Sequence, residues 1–285
     1  TLLASSAASD VYKRQTYKRV TDLWEYDIQG GYWTQCASMP DAATARTGAS
    51  GFAIGEKGYI TLGQDNSSNY LADTWEYDPA TDTWTQKDDY KGGARISAIA
   101  FGIGQYGYVG TGYNGNYQKD FYRFDPQAAA GQQWEIVNGF GGQKRQGGTS
   151  FVIDDKAYIC CGVNNGSYVY DFWCFDPSTG VFTQLRDIAD TSDDDYDDDY
   201  TSIVRANAVS FVIDGKGYLV TGEYGSLLSN YWIYDPATDL WEGEDLTAFE
   251  GSVRKNAVAF STGTRGFVVT GQASSSYSVS YTHLR

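Results

Sequence analysis

Apolar and polar residues alternate with a period of two in short runs along most of the chain, which is the pattern of half-buried β-strands. One such run is AVSFVI (208–213), which is followed by the turn sequence DGKG and by a second run, GYLVTG (217–222). Asp-Gly between two alternating runs is a strong signal for a β-hairpin. No segment has a sustained apolar period of 3.6 residues, so the sequence predicts almost no helix.

The alternating runs belong to two segments that each recur five times. The first segment begins with arginine and ends with glycine, and its copies span 46–63, 95–112, 145–162, 205–222 and 254–271. The second segment carries W-x-Y-D or a variant of it, and its copies span 22–33, 73–84, 120–134, 171–182 and 230–241. A repeat of roughly 50 residues with four short strands predicts the blade of a β-propeller.

These repeats resemble those of kelch proteins, which belong to the galactose oxidase/kelch-like propeller superfamily. The match rests on the glycine that ends the second strand, on W-x-Y-D-P and on the aromatic residue that closes the unit, and it covers roughly residues 20–272. The chain departs from the family in having TG, LG or CG where a double glycine is usual. The resemblance implies an all-β, kelch-type β-propeller of four-stranded antiparallel blades. W-E-Y-D-P-A-T-D-T-W is most similar to bacterial kelch proteins, which implies an extracytoplasmic location: periplasmic, cell-surface or secreted.

About five blades are visible in the repeat, as four complete blades plus two complementary half blades. The halves either close together as a fifth blade or belong to a ring of six or seven blades. The propeller is predicted to span 16–277. Residues 1–15 and 278–285, which include the sole histidine, His283, break the repeat and are predicted to be non-native or disordered flanks.

Composition excludes several classes of function. The chain has 36 acidic and 21 basic residues and a net charge of −15, which disfavours nucleic acid as a partner. No apolar stretch approaches the ~18–20 residues that a transmembrane helix needs. One histidine does not supply the two ligands that kelch copper oxidases use. The four cysteines are predicted to be free buried side chains, with a Cys160–Cys174 disulfide as the alternative.

The repeated arginines are the first group of candidate binding residues. Each begins an innermost strand, so all are expected at one height near the central channel. They could hold a carboxylate or sulfate through bidentate hydrogen bonds. Alternatively, each pairs with a carboxylate or carbonyl group of its own or the next blade, and aspartates at the start of the third strands are the expected partners. The arginines are Arg46, Arg95, Arg145, Arg205 and Arg254, and the aspartates are Asp22, Asp73, Asp120 and Asp171.

Tyrosines in the loops between the second and third strands are the second group. These loops are also rich in Asn and Ser, and such loops combine apolar area with hydrogen-bonding capacity. The tyrosines could stack on a sugar or a peptide, or pack between blades. They are Tyr70, Tyr113, Tyr117, Tyr168 and Tyr224.

One repeat contains an acidic insert, DTSDDDYDDDY (190–200). Asp193, Asp195 and Asp197 alternate as in a calcium loop, but the glycine and the closing glutamate of an EF-hand are missing. A solvated loop is therefore favoured over a calcium site, and no cofactor is predicted.

Together these features predict a non-catalytic binding propeller that recognises a glycan or a protein through the second-to-third and fourth-to-first strand loops. No set of catalytic residues is identified. The alternative is a carbohydrate-active kelch enzyme, such as a sialic acid (N-acetylneuraminate) epimerase-like protein, in which the arginines would bind the carboxylate of the substrate.

Overall fold

The chain forms an all-β structure in a computed structural model that describes residues 2–4, 19–243, 248–273, 276–277 and 281–284. No helix occurs among these residues, which confirms the prediction from the hydrophobic pattern, and accordingly none of them forms a helix able to cross a membrane. The described strands form six sheets of three or four strands around a central channel, which we number as blades 1 to 6 in chain order, and three two-stranded hairpins.

Four blades are complete, and each has four antiparallel strands in sequential order from the channel outward. Blade 2 contains β4 (Ser50–Ile54), β5 (Lys57–Thr61), β6 (Thr74–Asp78) and β7 (Thr83–Lys87). Blade 3 contains β8 (Ile99–Ile103), β9 (Tyr106–Gly110), β10 (Phe121–Phe124) and β11 (Trp134–Val137). Blade 4 contains β12 (Thr149–Ile153), β13 (Lys156–Cys160), β16 (Trp173–Asp176) and β17 (Val181–Gln184). Blade 5 contains β18 (Val209–Ile213), β19 (Lys216–Val220), β22 (Tyr231–Asp235) and β23 (Leu240–Glu242).

Blades 1 and 6 each have three described strands. Blade 1 contains β1 (Leu2–Ala4), β2 (Leu23–Asp27) and β3 (Tyr32–Cys36). Blade 6 contains β24 (Val258–Ser261), β25 (Gly266–Val269) and β28 (Tyr281–Leu284). Small hairpins in the second-to-third strand loops are β14–β15 (Val163–Asn164, Ser167–Tyr168), β20–β21 (Glu223–Tyr224, Ser226–Leu227) and β26–β27 (Gln272–Ala273, Ser276–Tyr277).

The two predicted half blades do not join into one sheet. Among the described strands, β2 pairs with β1 and β3, whereas β25 pairs with β24 and β28. The alternative of a fifth blade closed from both halves is therefore wrong, and the arrangement matches the alternative of a larger ring. Residues 1, 5–15, 278–280 and 285 lie outside the described residues, and the foreign origin of the flanks stays a prediction.

Neighbouring blades are held together by a repeated aromatic contact. A phenylalanine of the innermost strand crosses to the next blade, where it covers a glycine of the second strand and touches an aromatic residue of the third strand. Phe52 meets Phe124 in this way at a ring distance of 6.0 Å, and Phe151 meets Tyr234 at 5.9 Å. A Cβ on Gly217 would lie 2.3 Å from the Phe151 ring, so this position has no room for a side chain.

The hairpin turn that the sequence predicts in blade 5 is present, because Asp214 and Gly215 connect β18 to β19 and both have positive φ angles.

Of the four cysteines, none forms a disulfide. Cys174 pairs across the strands with Tyr158 rather than with Cys160, which explains why the alternative disulfide does not form.

The departure from the double glycine of kelch repeats has a structural cost. The residue before each closing glycine has a positive φ in all five copies, although none of these residues is glycine; they are Leu62, Thr111, Cys161, Thr221 and Thr270. This conformation is unfavourable for side chains in general and most unfavourable for β-branched residues. Thr221 is wholly buried, and its hydroxyl oxygen has no hydrogen-bond partner.

We therefore expect Thr221→Gly to raise the free energy of unfolding by about 1 kcal/mol, since relief of backbone strain and of an unsatisfied hydroxyl outweighs the lost packing. Urea denaturation measures the change. Thr111→Gly is the matched control, because the Thr111 hydroxyl accepts a hydrogen bond from Ile99 N at 3.4 Å, and its gain should be smaller. Equal changes at both positions would contradict the role given to the Thr221 hydroxyl.

Candidate functional site: the arginine-bearing end of the propeller

The second-to-third and fourth-to-first strand loops share one end of the propeller with the five repeated arginines, and we call it the arginine-bearing end. Two residues after each arginine, the backbone turns with a positive φ and faces the channel; these residues are Gly48, Ser97, Gly147, Asn207 and Asn256. The last four of these residues each donate the backbone amide to the carbonyl of the residue before it in this series, at 2.7–3.0 Å. The series of hydrogen bonds thus runs from the Asn256 amide to the Gly48 carbonyl. This backbone chain borders a cavity of about 690 Å³, most of whose lining residues are Gly, Ala, Ser or Thr.

In three blades the repeated arginine binds the aspartate that begins the third strand of the same blade. Arg46 makes two hydrogen bonds to Asp73, at 2.5 and 2.6 Å, and Arg95 makes two to Asp120, at 2.6 and 3.0 Å. Arg145 Nη2 donates to Asp171 Oδ1. Burial disfavours the ionised Asp73 carboxylate, but hydrogen bonds from Arg46 and Trp75 outweigh this effect, and the pKa of Asp73 lies below its usual value.

Blade 5 differs, because Asn230 stands where the other blades have aspartate. Arg205 donates to Asn230 Oδ1 at 3.1 Å and to the carbonyl groups of Ser202, Ile203 and Thr221 at 2.6–3.0 Å. Burial lowers the pKa of Arg205 to about 10, which leaves the guanidinium protonated at neutral pH. Arg254 is equally buried and donates to the carbonyls of Ser252 and Thr270.

This geometry favours the structural alternative for the arginines. The side chains of Arg95, Arg145 and Arg205 are at most 1 % exposed, and their guanidinium groups bind groups of their own blade. Asp73, Asp120 and Asp171 are the partners that the sequence predicted, whereas Asp22 has no described arginine partner. Binding of an external anion by the arginines stays a prediction.

The structure gathers the five predicted tyrosines into two groups, each spanning two neighbouring blades. The first group joins blades 2 and 3: the ring of Tyr113 lies 6.4 Å from that of Tyr70 and 5.0 Å from that of Tyr117. The second group joins blades 4 and 5: the rings of Tyr168 and Tyr224 are 4.5 Å apart, and the Tyr168 hydroxyl accepts a hydrogen bond from Gly225 N. Tyr224 is 55 % exposed.

The acidic insert (190–200) is a loop of blade 4 at the same end, and it brings together a different set from the one predicted. Carboxylate oxygens of Asp190, Asp197 and Asp198 lie within 4.8 Å of one another, whereas Asp193 and Asp195 are outside this group. Asp197 is buried and accepts hydrogen bonds from Thr191 N, Ser192 N and Ser192 Oγ. These bonds satisfy the buried carboxylate within the aspartate-rich loop, and the calcium alternative stays a prediction.

Sequence reasoning missed the polar group at the mouth of the channel. Asn207 Nδ2 donates to Glu223 Oε1 at 2.9 Å, and Lys255 Nζ lies 2.7 Å from Glu223 Oε2. The signal was available, since Asn207 and Asn256 occupy the second position after an arginine, where the other repeats have glycine or serine. Blades 5 and 6 therefore place an amide side chain at this position, whereas blades 2 to 4 have glycine or serine there.

Comparison with known proteins supports the fold. A model of the Kelch motif family matches residues 144–187. No curated protein matches the chain. The matched segment covers all four strands of blade 4, from the residue before Arg145 to three residues beyond the end of β17, so the motif and the observed sheet coincide. Six antiparallel sheets around a channel, one of which matches the Kelch motif, identify the fold of this chain as a kelch-type β-propeller.

Proposed function

We propose that this protein is a non-catalytic interaction propeller that binds a segment of a partner protein across the loops of the arginine-bearing end. The observation that carries the proposal is the convergence of Tyr168 and Tyr224, which come from loops 56 positions apart in the chain and form one partly exposed aromatic surface. Kelch propellers typically serve in protein interactions. Tyrosines are enriched where proteins bind, because they bring contact area and a hydrogen-bonding group at low entropic cost.

The charge of the protein favours a basic partner. The net charge is −15, and the exposed aspartates of the acidic insert lie on the same end as the tyrosines. A Lys- or Arg-containing segment would bind more tightly for two reasons: the negative charge attracts it over a long range, and its cations can contact the tyrosine rings. Association with such a segment should therefore slow as the salt concentration rises.

The enzymatic alternative has less support. An epimerase-like site would need arginines free to bind the substrate carboxylate, and the described guanidinium contacts are made within the blades. A glycan could also stack on the same tyrosines, and the following experiment distinguishes glycan binding from peptide binding.

Screening the protein against a peptide library of varied charge and against a glycan array tests the proposal. Basic peptides should be enriched, and Tyr168→Ala/Tyr224→Ala should weaken their binding at least tenfold, because aromatic anchors at interfaces contribute about 2 kcal/mol or more. Tyr32→Ala is the matched control, since Tyr32 is as exposed as Tyr224 but lies on the outer strand β3. Binding of glycans alone, or equal losses in both variants, would overturn the proposal.

A further inference from the structure

The buried charge of Arg205 has no carboxylate partner among the described residues. Arg205 is wholly buried, and Asn230 stands where blades 2 to 4 have the aspartate that binds the repeated arginine. Backbone carbonyl groups and the Asn230 amide oxygen accept the hydrogen bonds of the guanidinium group, but they carry no negative charge. A buried cation without an anion beside it is costly, so we expect another side chain to compensate Arg205.

Blade 4 presents a cysteine to Arg205. Cys161 precedes the closing glycine of its repeat, Gly162, and Gly162 donates its amide to the Arg205 carbonyl at 2.8 Å. Cys161 Sγ lies 3.9 Å from the Ile203 carbonyl oxygen, which also accepts a hydrogen bond from Arg205 Nε at 3.0 Å. None of the equivalent residues of the other repeats has an ionisable side chain; they are Leu62, Thr111, Thr221 and Thr270. The cysteine therefore occurs next to the one arginine of blades 2 to 5 that lacks an aspartate.

A second thiol and two arginines surround the Cys161 sulfur. Cys160 and Cys161 are both wholly buried, and the Cys160 thiol donates a hydrogen bond to Cys161 Sγ. Arg145 Nη1 donates to the Cys161 carbonyl at 3.3 Å, so the charge of Arg145 is also close. Burial disfavours the Cys161 thiolate, but the bond from Cys160 and the charges of the two arginines outweigh this effect, and the pKa of Cys161 lies below its usual value. The same hydrogen bond, together with burial, holds the proton on Cys160 and raises the pKa of Cys160.

We propose that the Cys161 thiolate is the counter-ion of Arg205 and that Cys160 and Cys161 form an oxidation site for hydrogen peroxide. A thiolate is the form of cysteine that reacts with peroxide, and an adjacent thiol can convert the product into a disulfide. A neutral Cys161 thiol would instead donate to the Ile203 carbonyl, and the experiments below distinguish the two states. The site is independent of the tyrosine surface and of the partner that binds there.

The oxidation has two steps. The Cys161 thiolate attacks one oxygen of the peroxide, the O–O bond breaks, and the departing hydroxide takes a proton from solvent, which leaves a sulfenic acid and water. The Cys160 sulfur then attacks the Cys161 sulfur, the S–O bond breaks, and the hydroxide leaves as water with the proton of Cys160. The two sulfurs lose two electrons, which reduce the peroxide to two waters. Because both sulfurs are buried, the reaction requires local opening between blades 4 and 5, which favours a small oxidant over a large disulfide.

The ultraviolet absorbance of the thiolate tests the charge of Cys161 in the full-length protein. The thiolate band should be present at neutral pH, should disappear in Cys161→Ser, and should be lost on acidification with an apparent pKa below that of an ordinary cysteine. Cys174→Ser is the matched control, because burial raises the pKa of Cys174 and its removal should leave the band unchanged. Absence of the band, or its persistence in Cys161→Ser, would overturn the proposal.

Asn230→Asp tests the link between Arg205 and the oxidation, because it supplies the carboxylate that blades 2 to 4 have. The new charge should compensate Arg205, raise the pKa of Cys161 and slow the reaction with peroxide by about tenfold, which is the effect of one pKa unit on the thiolate fraction. Asn116→Asp is the matched control, since it adds the same charge at an exposed position of blade 3 and should leave the rate unchanged.

Mass spectrometry of the oxidised, digested protein identifies the product. Cys160 and Cys161 should be joined to each other, and the peptide that contains them should have lost two hydrogen atoms. Equal oxidation rates in Asn230→Asp and Asn116→Asp, or an oxidised Cys161 beside a free Cys160 thiol, would overturn the proposal. The absorbance comparison decides the charge of Cys161 even if Asn230→Asp alters the fold.

Discussion

Arg145→Gln is expected to lower the free energy of unfolding by about 3–5 kcal/mol, because removal of one partner leaves a buried charge uncompensated. Arg145 is fully buried, and its partner Asp171 is 8 % exposed at the side chain. The substitution also takes donors from the carbonyl groups of Gln143 and Cys161. Urea denaturation followed by tryptophan fluorescence measures the loss.

Arg123→Gln is the matched control for this substitution. Arg123 also pairs with a carboxylate, Glu135, at 2.7 Å, but both side chains are exposed, so we expect a loss of no more than about 1 kcal/mol. Adding Asp171→Asn to Arg145→Gln should restore part of the stability, because the uncompensated carboxylate is then gone. A variant that keeps its stability but loses binding of a carboxylate-bearing ligand would instead support the ligand-binding interpretation of the arginines.

The arginines show what the sequence could and could not decide. Their periodicity predicted one common height at one end of the propeller, and the spacing of Asp73, Asp120 and Asp171 predicted the partners. A periodic role in folding and a periodic role in binding leave the same pattern in a sequence. The choice depends on burial and on the direction of each guanidinium group, which are properties of the packed structure.

The arrangement of blades 1 and 6 was also beyond the sequence. Two complementary half repeats are compatible with one shared sheet or with two separate sheets, since strand propensity does not specify the partner of a strand. The contact between Tyr26 of blade 1 and Phe260 of blade 6, at 6.5 Å, shows the outcome. An inner-strand phenylalanine and a third-strand aromatic residue make the same contact between other neighbouring blades. Blade 1 is therefore the blade next to blade 6 around the channel, and its strands do not form part of blade 6.

The sequence could predict which residues belong to the candidate site, but it could not predict which of these residues contact one another. The sequence placed tyrosines in the second-to-third strand loops, and the structure confirms that position for all five. That Tyr168 contacts Tyr224 across two blades depends on the lengths of the hairpins β14–β15 and β20–β21 and on the rotation between blades. Likewise, the sequence alone could not show that Asp22 differs from Asp73, Asp120 and Asp171 in having no arginine partner among the described residues.

The repeated contact between blades leads to the second large effect that we expect. Phe151→Ala should lower the free energy of unfolding by about 3–5 kcal/mol, which is usual for removal of a buried phenylalanine ring. Phe151 is 4 % exposed and contacts Phe172 of its own blade and Tyr234 and Trp241 of blade 5. Because Gly217 presents no side chain to the ring, nothing on that side can fill the space that the ring leaves.

The location of the effect tests the packing argument more sharply than its size. In a radial repeat each blade contacts only its neighbours, so Phe151→Ala should increase hydrogen exchange in blades 4 and 5 before it does so in blade 2. Val181→Ala is the matched control in blade 4, because Val181 lies on the outer strand β17 and is 52 % exposed, and it should change stability by less than about 0.5 kcal/mol. Uniform acceleration of exchange in all blades would mean that the ring unfolds as one unit and that the contact between blades 4 and 5 has no local role.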